Sequence, residues 1–381
     1  MTASQDKSNA GQQPPRRKRA RPLGISIASV IAAVLCSAQR PAGGADGDKA
    51  LLAGTARNES APPLVDTHPD APPIVGTRER LLILSPHPDE ETLGTGGLVQ
   101  RVVAKGGQVR TLLVTAGDGF VEGVQHRTGS ARPEPDAFVE YGEQRVREAQ
   151  SGMQVLAGGK AQLEILGFPD GGLLPLLYSH WDIAHPGRSD TTLRHTVPYR
   201  AALERYLPYA GSNLRVQIVR AVRDFHPTLI AFPDLLDEHP DHRAVGLVTL
   251  MAAADYMRSR NGSWPKLLAY LVHWRNWPLG VDDHGLSESA INQPLTLPSD
   301  LPRRGQSREC LTLTDEELTR KRAALAEYRT QQQVVPYFLH AFVRRTECFS
   351  MNAPKDAASL GVTIRRQIRE LSAKAARTTR H

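Results

Sequence analysis

Leu81-Leu82-Ile83-Leu84-Ser85-Pro86-His87-Pro88-Asp89-Glu90 is the stretch that decides how this chain folds. Four consecutive apolar residues that end at Pro and a knot of ionisable groups read as a buried strand running into a polar turn. The arrangement recurs downstream, where Leu229-Ile230-Ala231-Phe232 precedes His239-Pro240-Asp241-His242. Strands apolar along their whole length are buried on both faces, the habit of parallel sheets covered by helices on either side. Ligands of such sheets bind beyond the carboxyl ends of the strands, and both clusters occupy that place.

Working outward, strands are expected at Leu81–Ser85, Val109–Thr115, Leu163–Leu166, Thr228–Phe232 and Leu267–Val272. Between and after them, apolar residues at helical spacing give helices over Thr95–Lys105, Tyr141–Leu156, Leu214–Phe225 and His242–Met257. This alternation predicts an α/β fold with a Rossmann-like, doubly wound, mostly parallel sheet. Residues 120–140 and 173–212 read as long loops, which in such folds tend to serve function. Thr314–Gln332 reads as a late helix, opened by a capping box between Thr314 and Glu317. In Gly94-Thr95-Gly96-Gly97 the spacing does not match a dinucleotide loop, so close packing is the expected role.

Imidazole and carboxylate groups suit zinc with an open coordination position. His87 and Glu90 lie three residues apart in a turn, so both can reach one point, while His242 or His239 could supply a third ligand from the second cluster. A nearby carboxylate would take a proton from water, and a protonated imidazole would stabilise the oxyanion or protonate the leaving amine. The residues therefore read as a zinc hydrolase.

Ser85 to Gly94, paired with His239-Pro240-Asp241-His242, resembles the motif pair of the LmbE-like/PIG-L family of zinc-dependent N-acetylglucosaminyl de-N-acetylases. The resemblance spans roughly residues 78–335. It implies that His87, Glu90 and His242 hold Zn2+ and that Asp89 is the general base. It implies His239 as the electrostatic or acid group, with Asp241 orienting its imidazole. More distantly, Arg145 and Asp170 resemble residues that contact sugar hydroxyls, and Lys321 with Tyr328-Arg329-Thr330-Gln331 resembles a recurrent C-terminal helix. The family usually carries Asp where this chain has Glu90. The extra methylene displaces the carboxylate by about 1.5 Å unless the backbone adjusts.

The net charge of +7 resides in the ends of the chain. Residues 1–22 and 351–381 each carry +5, which leaves residues 23–350 at −3, so no nucleic-acid partner is expected of the core. Arg16-Arg17-Lys18-Arg19 and Arg21 precede the uncharged run Leu23–Ala38. That pattern fits a signal peptide or an N-terminal membrane anchor over residues 1–38. Residues 39–78 read as a disordered linker, 79–350 as the LmbE-like deacetylase domain and 351–381 as a basic C-terminal tail. Export or membrane anchoring points to an amino-sugar glycoconjugate of the envelope or exterior as substrate. Alternatives are a zinc amidase acting on a larger N-acyl or peptide-like amide, and a non-catalytic, metal-containing carbohydrate-binding protein. Cys310 and Cys348 could pair in an oxidising compartment.

Overall fold

The computed structural model describes residues 74–259, 264–278, 291–303, 306–351 and 354–378. The expected signal or anchor and nearly all of the expected linker lie outside these residues. Among the described residues, no helix is long and apolar enough to cross a membrane.

Among the described residues, seven strands form one sheet: β1 (Arg80–Ser85), β2 (Gln108–Thr115), β3 (Ala161–Phe168), β4 (Leu229–Pro233), β5 (Lys266–Tyr270), β6 (Ser307–Thr312) and β7 (Thr346–Met351). Their order is β3-β2-β1-β4-β5-β7-β6. The first five are parallel, whereas β7 runs antiparallel to both β5 and β6. The chain winds from β1 out to β3, then crosses back to place β4 on the other side of β1. That reversal opens a crevice at the carboxyl ends of β1 and β4. Each of the two His-Pro-Asp clusters follows one of these strands. Leu81, Leu82, Ile83 and Leu84 are all fully buried, as a central parallel strand requires.

The helices are α1 (Glu90–Leu93), α2 (Gly96–Ala104), α3 (Val121–Thr128), α4 (Pro135–Ala157), α5 (Leu173–Tyr178), α6 (Gly211–Phe225) and α7 (Pro240–Arg258). After β6 come α8 (Asp315–Leu325), α9 (Arg329–Gln332) and α10 (Pro336–Ala341), and after β7 comes α11 (Pro354–Thr378). Helices α2, α4 and α8 pack together as one layer, while α5, α6, α7 and α11 form another. Helix α7 is buried along most of its circumference because α11 covers the side that does not meet the sheet. Gly97 allows close approach in the first layer, since a Cβ there would stand 2.1 Å from Leu313 Cδ2.

The structure departs from the expectations at four places. Residues 120–140 are largely helical: α3 occupies them, and α4 starts at Pro135 rather than Tyr141. Val124, Phe138 and Tyr141 bury one another there, a local core too small to show as a periodic run. Residues 173–212 open with α5, whose four leucines are buried. The expected late helix keeps its capping box but breaks after Leu325, with α9 resuming at Arg329. Finally, residue 350 is not a boundary. It lies within β7, and the basic segment that follows docks through Ala357, Ile364 and Ile368, all fully buried or nearly so. Cys310 and Cys348 face each other across β6 and β7 and form a disulfide.

Candidate active site

The turn after β1 folds back on its own carboxylates. Glu90 Oε2 accepts the His87 N–H at 2.8 Å, and Glu91 Oε2 accepts the Asp89 N–H at 3.0 Å. Asp89 caps α1 with φ 145°, a conformation that costs a non-glycine residue of order 1–3 kcal/mol. The turn thereby keeps Glu90 near the strand end and aims Asp89 at a pocket of about 490 Å³. Asp89, Glu90, His87, Arg145, Asp170 and His239 are among its lining residues.

The second cluster arrives from β4. His239 caps α7, its ring Nδ1 accepting the Asp241 N–H at 3.2 Å, and Pro240 occupies the first turn, where its missing N–H costs nothing. One turn of helix then carries His242 inward, fully buried.

Glu90 Oε1 joins the two clusters, lying 2.8 Å from His87 Nδ1 and 3.1 Å from His242 Nε2. On its other side, His87 Nε2 is 3.0 Å from Asp170 Oδ1 and 3.4 Å from Asp241 Oδ2. Among the described residues, three sets of side chains have ligand atoms within 4.8 Å of one another: His87, His239 and His242; Glu90, His242 and His273; and His87, Asp170 and Asp241. Imidazole nitrogens and carboxylate oxygens converging on one spot from two strand ends are a donor set that fits a divalent ion.

Charge is unevenly shared. Burial and the neighbouring Glu90 push the Asp89 carboxyl well above the usual range, and Arg145 only partly offsets them. Glu90 goes the other way, since the charges of His87 and His242 overcome burial. His87 is raised despite its burial by Glu90 and Asp170, and His242 reaches about 9 despite burial, chiefly through Asp237 and Glu90. His239 falls well below 6.5 because of burial and the charges of His87 and His242.

Asp241, His239, Arg145 and Asp170 each have partners that bear on their expected roles. Asp241 does not orient the His239 ring with its carboxylate, which instead accepts the N–H groups of Gly171 at 2.7 Å and Leu173 at 2.9 Å. Only its backbone N–H serves His239. His239 is then neutral rather than an imidazolium: its Nδ1 is an acceptor, which leaves the proton on Nε2. Arg145 is buried against the turn, donating to Pro88 O and Gly117 O at 2.8 Å each and to Asp89 Oδ2 at 3.2 Å. Asp170 Oδ2 accepts the Gly119 N–H at 2.6 Å while its other oxygen faces His87, so it stands among the cluster rather than apart from it. Lys321 is buried on Glu347 and Leu93 O, bracing the end of α1.

The sequence reading passed over three residues that the fold brings here. His273 follows β5 and stacks on Phe338 with ring centroids 5.4 Å apart. The rule that selected the two clusters, ionisable groups at a strand's carboxyl end, would have found it. Asp237, two residues before His239, contacts His242. Asp118 is buried beside Asp170, which together with burial lifts its carboxyl to about 7.

Residues 82–253 match the family model described as PIG-L: GlcNAc-PI de-N-acetylase. This segment is a PIG-L family domain. The chain is similar to the 1D-myo-inositol 2-acetamido-2-deoxy-alpha-D-glucopyranoside deacetylase of Mycobacterium sp. (strain KMS), at 29% identity over 48% of this chain. It spans about half of that relative's length, 53%. The enzyme of the same description from Rhodococcus jostii (strain RHA1) is 28% identical over 68% of this chain and 84% of its own. Among solved structures, N,N'-diacetylchitobiose deacetylase from Pyrococcus horikoshii aligns with TM-score 0.44 and 17% identity, covering 73% of this chain and 85% of its own. The A40926 pseudoaglycone deacetylase Dbv21 aligns with TM-score 0.44 and 21% identity, covering 72% and 97%. The PIG-L segment contains both His-Pro-Asp clusters, Arg145 and Asp170, whereas His273 and Phe338 lie beyond it.

Proposed function

We propose that the PIG-L domain is a zinc-dependent hydrolase that removes the N-acetyl group from an N-acetylglucosamine-type glycoconjugate. One observation carries the reading: His87, Glu90 and His242 meet within hydrogen-bond distance while Asp89 lines the same pocket. His87, Glu90 and His242 would hold the ion. When bound, zinc supplies Lewis-acid polarisation of the amide carbonyl and acidifies water.

The chain's own groups do the rest. Asp89 is held toward the pocket by Arg145, and its raised basicity suits it to take the proton of the attacking water at a carboxylate oxygen. His239 carries its proton on Nε2 and donates a hydrogen bond from it toward the amide oxygen, while Asp89 passes the proton it took from water to the departing nitrogen. Asp170 and the Arg145 edge bound the space left for a sugar. The metal-loaded chain is expected to release acetate from N-acetylglucosaminides, and a chelator to abolish this. A panel of N-acetylated amino sugars without any release would count against the reading.

The apolar wall formed by Phe120, Val335 and Phe338 favours one second reading, hydrolysis of a larger N-acyl amide. A kcat/KM that climbs with acyl length separates the two. Export or anchoring through residues 1–38 belongs to the proposal. The basic-then-apolar order of that segment supports it, and so does the Cys310–Cys348 disulfide, because such bonds persist in oxidising compartments. Fractionation of cells making the full chain tests it, with recovery in the cytoplasm as the contrary result.

A further inference from the structure

Asp237 sits fully buried in the loop between β4 and α7, and its carboxylate is shared among four groups. Oδ1 accepts the His239 N–H at 3.0 Å. Oδ2 accepts the N–H groups of Val272 at 2.9 Å and His273 at 3.0 Å, and it stands 3.1 Å from His242 Nδ1. One side chain thus ties the loop after β4 to the loop after β5. Through backbone or ring, it touches the three histidines on that flank of the pocket. The other ring nitrogen of His242, Nε2, faces Glu90.

We propose that Asp237 is a positioning residue for the metal centre, an assignment that rests on the zinc reading above. Its carboxylate keeps the His242 proton on Nδ1, so that Nε2 presents its lone pair toward Glu90 and the ion. The same oxygens fix the backbone from which His239 and His273 project. The carboxylate is suited to this because it can only accept, and its neighbours are three backbone N–H groups and the His242 Nδ1 atom, which can carry a proton. An amide at this place would turn an NH2 toward one of those donors. Carboxylates behind ligating histidines act in this way generally, and losing them weakens metal binding about 10- to 100-fold.

The test uses the full chain, stripped with chelator and titrated with zinc. Asp237→Asn is expected to bind zinc about 10- to 100-fold more weakly than the parent. Nitrogen-edited NMR of the zinc-loaded parent is expected to place the His242 proton on Nδ1, a signature that a loop brace alone would not produce. Equal zinc affinity in the parent and a folded Asp237→Asn would overturn the assignment. A proton on His242 Nε2 in the parent would overturn it as well, whether or not the variant folds. If the parent binds no divalent ion, the zinc reading falls and this assignment with it; if only the variant comparison fails, the zinc reading stands.

Discussion

His87-Pro88-Asp89 and His239-Pro240-Asp241 are the same tripeptide at the ends of neighbouring strands, yet the fold uses them in opposite ways. In the first, Asp89 takes a strained φ of 145° and turns its carboxylate to the pocket, with one guanidinium edge as partner. In the second, Asp241 sits in the opening turn of a regular helix, fully buried, and accepts two backbone N–H groups from the start of α5. Their histidines diverge too. His87 is raised by flanking carboxylates, while His239 is lowered by burial and flanking imidazoles. Composition and spacing therefore assign neither role. What separates them is whether the chain after the proline continues as helix or buckles, and which neighbours close around the result.

The sharpest way to break the comparison is to exchange the two carboxylates' fates. Asp89→Asn keeps shape and loses the base, so kcat is expected to fall by about 10²- to 10⁴-fold with zinc content retained. Metal analysis beside acetate release checks it, and loss of both together would strip Asp89 of that role. Asp89→Gly should be equally inactive yet unfold at or above the parent's temperature, because glycine accepts positive φ without strain. Activity and stability move in opposite directions at this position.

At Asp241 both should fall. Asp241→Ala leaves the Gly171 and Leu173 N–H groups without their charged acceptor and removes a negative charge from the first turn of α7. The expected loss is about 2–3 kcal/mol in urea unfolding. A variant as stable as the parent would show that the contact braces nothing.

The same contrast explains how much of the molecule could be read from its sequence. The five parallel strands were legible because each carries a buried apolar stretch, continuous in β1, β4 and β5 and interrupted by polar residues in β2 and β3, and the two clusters because each follows a continuous run. The antiparallel edge was not. In β6, Ser307-Arg308-Glu309-Cys310-Leu311-Thr312 has a single buried residue, so it carries no hydrophobic signature. Convergence of His87, Glu90 and His242 could be expected from topology. The partner of each carboxylate could not, since Asp241's acceptor role depends on a turn about 70 residues away. His273 and Asp237 were visible in principle and were passed over because they stand outside the tripeptides.

Glu90→Asp probes the joint between the two clusters and is expected to have a smaller effect. Glu90 Oε1 reaches His87 and His242 while Oε2 accepts the His87 N–H. Removing one methylene draws the oxygens back by about 1.5 Å, so the shorter side chain can serve one motif or the backbone but not both unless the turn shifts. Zinc affinity is expected to change by less than about tenfold, since a carboxylate ligand remains. Glu90→Ala should lower zinc occupancy further. Undiminished occupancy in the alanine variant would place Glu90 outside the ligand set.

The smallest effect, and the one that addresses the histidines directly, is the pH dependence of the chelator-treated protein. His87 holds its proton more tightly folded than unfolded. Its stabilising contribution is complete below the unfolded value near 6.5 and fades as pH rises through the higher folded value. His239 is the reverse: its contribution is present above 6.5 and is lost as pH falls toward the lower folded value. His87→Gln should therefore flatten the alkaline side of a plot of unfolding temperature against pH, and His239→Gln the acid side. The two rings stand with centroids 4.8 Å apart, so each substitution also relieves part of the other's perturbation, and the slopes will change by less than either residue taken alone would give. Should both variants flatten the same side, the two copies of the motif would share one electrostatic environment, and their contrast would reduce to backbone conformation.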